Sequence, residues 1–68
     1  MTIGQSIRAA RQRKFLSQKE LAKLAKTTQV TVSRIEANSE AKLSTIIRIA
    51  DALEMPIDDL IGREVKKV

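Results

Sequence analysis

The chain has 68 residues, 43% hydrophobic and 31% charged, with no Cys, no His and Phe15 as its only aromatic. One domain of this length buries only about 60% of the surface its unfolded chain exposes, which leaves little core to spare for an enclosed active site. The missing Cys and His exclude disulfides, thiol nucleophiles and thiolate metal sites, together with the commonest general base and imidazole ligand.

The net charge of +5 is unevenly spread. Residues 1–34 hold eight basic side chains against Glu20 alone, and residues 35–68 hold five basic against seven acidic. A compact domain with one strongly basic half suits a polyanion, although Lys and Arg also serve solubility. No apolar run approaches the length of a membrane span or a signal sequence, so a cytoplasmic location is expected.

In chain order, residues 2–14 read as a helix. Thr2 and Gln5 make a possible capping box, and Ile3, Ile7 and Ala10 form an apolar stripe. In "LSQKEL" the local signal is stronger. Ser17 is the N-cap, Glu20 its capping-box partner, and Leu16 and Leu21 stand at staple positions. A second helix therefore runs from Ser17 to about Ala25, burying Leu21, Ala22 and Ala25.

"TTQVTVS" (27–33) has five β-branched residues and a near alternation of apolar and polar side chains, which by propensity is a strand. No other strand is available to pair with it. Read as a helix with Thr28 as N-cap, it places Val32 and Ile35 on one face. Val30, Ser33, Arg34 and Ala37 then fall on the opposite face. The β-branched residues cost a few tenths of a kcal/mol each relative to better helix formers, which packing offsets.

"LSTIIRIADAL" (43–53) predicts a fourth helix with Leu43, Ile46, Ile47, Ala50 and Leu53 on its buried face. Pro56 suits the first position of a short fifth helix, with Asp58 and Asp59 in its first turn and Gly62 at its end. Residues 1–62 are expected to form one all-α domain, and residues 63–68 a frayed basic tail.

The outward face of the third helix is unusual. A solvated face is normally rich in Glu and Lys, whereas this one carries Gln29, Val30, Thr31, Ser33 and Arg34. Such groups read base edges in a major groove: Gln pairs bidentately with adenine, Arg with guanine, and small apolar groups touch the thymine methyl. A packing surface for another helix would also accommodate Val30 and Ala37, but fits Gln29 and Arg34 less well.

Taken together, "SQKELAKLAKTTQVTVSRIE" (17–36) resembles the helix-turn-helix of the lambda-repressor and Cro-like, or XRE, family. The flanking "IGQSIRAARQRKFL" and "LSTIIRIADALEMPIDDLI" resemble its first helix and its last two. The resemblance implies a compact five-helix DNA-binding domain, with the helix-turn-helix formed by helices 2 and 3. It further implies a transcriptional regulator, a repressor in the leading reading, acting as a homodimer on a palindromic operator. By position, Gln18, Thr28, Asn38 and Lys42 would contact phosphates or, for Gln18, a base edge. Gln29, Val30, Ser33 and Arg34 would face bases. Arg11 and Glu36 would form a structural ion pair, and Ile57 and Ile61 of the fifth helix would serve dimerisation or simply close the core.

Lys26 and Glu54 stand where the family often has Gly, so a positive φ at either would be strained. The loop "ANSEAK" lacks the usual Pro, and Asn38 and Lys42 are expected within it.

Other readings remain. An antitoxin or adaptor would have a protein as its main partner (a toxin, or polymerase) while still binding its own operator; only "GREVKKV" is available as an extension. Catalysis has no support: Asp58/Asp59 and Asp51/Glu54 lack ligand spacing around a pocket, there is no Gly-rich phosphate loop, and neither metal nor cofactor is expected. Single-stranded RNA readers use stacking aromatics, which this chain lacks.

Overall fold

Reciprocal capping boxes open the first two helices of the computed structural model, which describes residues 2–61. Thr2 Oγ1 accepts from the Gln5 amide (3.1 Å), and Gln5 Oε1 accepts from the Thr2 amide (2.9 Å), starting α1 (Ile3–Arg13). Ser17 and Glu20 do the same, at 3.0 and 2.8 Å, for α2 (Gln18–Leu24). Each box satisfies two amides that the first turn leaves without helical acceptors.

α3 (Gln29–Asn38) is a helix despite its β-branched residues. Thr28 caps it by accepting from the Thr31 amide at 3.1 Å. Then follow α4 (Leu43–Ala52) and the short α5 (Ile57–Ile61). Among the described residues there is no strand. Pro56 stands just before α5 rather than inside it, and its carbonyl accepts from the Asp59 amide at 3.0 Å. Gly62 and the tail expected over 63–68 lie outside the described residues.

α3 packs against both α1 and α2, α4 against α2 and α5, and α1 closes the arrangement by touching α5. The centre is filled by Ile7, Leu21, Val32, Ile35, Ile49, Leu53 and Leu60, each under 2% exposed. α4 is rotated relative to the sequence expectation. Ile49 is fully buried beside Ile46, Ala50 and Leu53, whereas Ile47 is 43% and Leu43 59% exposed. "IIRI" allows either stripe by periodicity. The positions of α2 and α5, which flank α4, choose the one through Ile49.

All four junctions between helices contain a non-glycine residue in the left-handed region: Phe15, Lys26, Ser39 and Glu54, with φ of 56–59°. At three of them the next amide reaches back five residues: Leu16 to the Arg11 carbonyl, Thr27 to Ala22 and Met55 to Ala50, at 2.9–3.1 Å. This is the Schellman closure. Leu16 and Met55 then pack on the core, which helps hold a conformation that disfavours a Cβ by roughly 1–2 kcal/mol. The positive φ expected to strain Lys26 and Glu54 is present at both, and Phe15 and Ser39 share it.

At Gly4 the backbone of α1 comes close to that of α3. A Cβ there would sit 2.4 Å from the Ile35 carbonyl oxygen and 2.8 Å from that of Glu36. The Gly4 amide also donates to Ser39 Oγ at 2.9 Å. The start of α1 and the end of α3 are thus joined backbone to backbone.

Candidate nucleic-acid interface

Val32 and Ile35 anchor α3 in the core, so helical geometry turns Val30, Ser33, Arg34 and Ala37 outward. Gln29, Val30, Ser33 and Arg34 are all exposed. With Gln18, Ala37 and Asn38 they line one open concavity of about 460 Å³. None of Gln29, Ser33 and Arg34 bonds another described side chain. The donors and acceptors on this face are therefore available to an incoming partner.

Glu36 lies behind the concavity and holds Gln18, one of its lining residues. Its carboxylate accepts from Arg11 Nε at 2.7 Å, Arg11 Nη2 at 3.1 Å and Gln18 Nε2 at 3.1 Å. Arg11 also donates through Nη1 to the Leu16 carbonyl at 2.8 Å. The side chains of Arg11 and Glu36 are only 12% and 5% exposed. A bidentate, largely buried pair of this kind is directional and sensitive to loss of either partner. It ties α1, α3 and the first residue of α2 together and neutralises the Arg11 charge within the fold.

Gln18 lies at the junction of these two systems. Its amide nitrogen is committed to Glu36, which leaves its Oε1 acceptor and remaining N–H for an outside group. This tether is invisible in the sequence, where Gln18 and Glu36 are 18 positions apart.

Thr28 is exposed, with its hydroxyl engaged in capping and 2.9 Å from the Thr31 hydroxyl. Asn38 is the last residue of α3 rather than part of the following loop, and its Oδ1 accepts from the Glu40 amide at 3.3 Å. Lys42 is exposed at the N-cap position of α4, where it makes no side-chain cap. It does not line the concavity that holds Gln29 and Arg34. Ile57 is half-buried and packs on the core cluster; the side chain of Ile61 lies outside the described set.

The α2–turn–α3 unit, its three-helix brace and the sealed inner face of α3 together match a known architecture. Residues 7–60 fit the family model described as helix-turn-helix, of the lambda-repressor-like XRE type. The chain belongs to that family. A comparison with curated proteins returns no match. The helix-turn-helix domain is thus a DNA-binding domain of the transcription-regulator kind, with α2 and α3 as its two motif helices.

Among the described residues two carboxylates, Glu20 and Glu54, titrate below their ordinary value. Glu20 is held down first by the hydrogen bond from the Ser17 amide, and then by the Ser17 side chain. Glu54 is held down by hydrogen bonding and charge from Lys14, whose Nζ lies 2.6 Å away. Both support helix ends and lie outside the concavity on α3. Among the described residues no group of three or more carboxylates is placed to hold a metal ion, and no helix is long and apolar enough to cross a membrane.

Proposed function

We propose that the helix-turn-helix domain is a sequence-specific regulator, most simply a repressor, that inserts α3 into the major groove of duplex DNA. The observation that carries this reading is the division of α3. Val32 and Ile35 fix its rotation, and Gln29, Val30, Ser33 and Arg34 stand free in one concavity. In this reading Arg34 addresses guanine through O6 and N7, Gln29 addresses adenine, and Val30 rests on a thymine methyl. Gln18, Thr28, Asn38 and Lys42 contact phosphates, which set the position of α3 without reading sequence.

The protein acts as a homodimer on a palindrome, placing two copies of α3 about 34 Å apart along one side of the DNA. Leu43 and Ile47, one turn apart on α4 and both exposed, offer a second copy more apolar surface than the half-buried Ile57. Bound at a promoter, such a dimer blocks or recruits polymerase.

Selection from a random duplex pool at about 150 mM salt tests this, since salt suppresses the sequence-independent counterion term. The expected result is a palindrome with half-site centres about 10 base pairs apart. Folded protein that enriches no sequence would overturn it and direct attention to a protein partner.

A further inference from the structure

The concavity on α3 continues onto α1. A second hollow, of about 270 Å³, shares Gln18, Ser33 and Ala37 with it and adds Arg8, Arg11 and Glu36. A third, of about 600 Å³, shares Ala37 and Asn38 and adds Thr2, Gln5 and, again, Arg8. Arg8 therefore stands between two hollows that both open from the α3 surface.

Its position is set by the backbone. Gly4, one helical turn earlier, is pressed against the Ile35 and Glu36 carbonyls, so the same face of α1 carries Arg8 alongside α3. The charges sort clearly there. Arg11 is consumed by Glu36, and the Glu36 carboxylate already receives three donors. Arg8 is exposed and has no carboxylate partner among the described residues.

We infer that Arg8 grips a phosphodiester of the duplex from α1, outside the two motif helices, on the strand that rims the groove holding α3. This rests on the DNA reading above. The inference is a phosphate contact rather than a base contact because Arg8 belongs to the helix beside α3, not to the outward face of α3. A helix lying alongside an inserted one meets the groove wall. The planar guanidinium suits the paired oxygens of a phosphate, and Gln5 can add an amide donor in the same hollow.

The test titrates wild-type protein, Arg8→Ala, Arg8→Lys and Arg48→Ala against the selected duplex and a scrambled duplex, across about 50–200 mM salt. Arg48 borders a different hollow, with Leu24 and Asp51, and controls for loss of one positive charge elsewhere. Arg8→Ala should weaken both duplexes by the same factor, about ten-fold per subunit, and reduce the log–log salt slope of the bound homodimer by about two, one for each subunit. Arg8→Lys should restore the slope, and Arg48→Ala should keep it. Melting curves should coincide for all four proteins.

A slope for Arg8→Ala equal to that of Arg48→Ala would overturn the inference. Weakening confined to the selected duplex would also overturn it, by making Arg8 a base reader. Wild-type protein that binds neither duplex removes the DNA reading itself, and the Arg8 contact with it.

Discussion

On its inward face α3 carries Val32 and Ile35, at 0% and 1% exposure; on its outward face, two positions before Val32, Val30 is 66% exposed. Both faces carry a β-branched valine, and propensity does not distinguish Val30 from Val32. The difference lies in what each touches. Inward side chains are enclosed by α1 and α2, so a change there alters packing. Outward side chains touch little of the fold, so a change there alters what α3 can bind. Stability and specificity therefore belong to separate sets of residues on a single helix of ten residues.

The sharpest way to break this separation is at the inward face. Ile35→Ala should destabilise the domain by about 2–5 kcal/mol, read as a drop in chemical-denaturation midpoint. A loss below 1 kcal/mol would show that α3 is not held by its core side chains. Gly4→Ala comes next. Its methyl group meets two backbone carbonyls that cannot rotate away, so α1 must shift from α3, with a cost of about 1–3 kcal/mol.

Outward, Arg34→Ala should leave the melting temperature within error. It should cost about 1–3 kcal/mol in binding the selected duplex, chiefly at one base pair per half-site. Equal weakening on every sequence would make Arg34 a phosphate contact. A lowered melting temperature would give the outward face a share in stability and erase the contrast.

Lys26→Gly tests the turn that presents α3. It should stabilise by about 0.5–1 kcal/mol, the relieved left-handed strain less the added freedom of the unfolded chain. Thermal unfolding would register this as a rise of a few degrees.

The smallest effect concerns acid. Because the Glu20 carboxyl titrates below its ordinary value of 4.5 when folded, its contribution is present above that pH and lost as pH falls through the lowered folded value. Glu20→Gln, which keeps the box, should lose less melting temperature than wild type below about pH 4.5. Parallel acid profiles would exclude the Ser17–Glu20 contact as the cause.

Much of the architecture was legible because it is local. Thr2/Gln5 and Ser17/Glu20 announce two helix starts within four residues each, and the spacing of Val32 and Ile35 identifies the buried side of α3 even against its propensities. The rotation of α4 was not legible, since Ile46, Ile47 and Ile49 support two stripes and only the neighbouring helices select between them. Nor was the Gln18–Glu36 tether, which depends on how α2 and α3 meet. Phe15 and Ser39 gave no sign of left-handed geometry because neither is glycine. The contribution of α1 beside the concavity was hidden for a related reason: Gly4 and Arg8 acquire their meaning only from the backbone of a helix some thirty residues later.

The left-handed residues at the junctions have an evolutionary consequence. Glu54 is a single base substitution from glycine, and its ion pair with Lys14 is an exposed one, of the kind that contributes little. A stabilising change thus lies within one mutational step, of the kind open to a protein that selection asks only to stay above a threshold. A lineage adopting glycine there would gain tolerance for new side chains at positions 29, 30, 33 and 34, and with it more freedom to change its target.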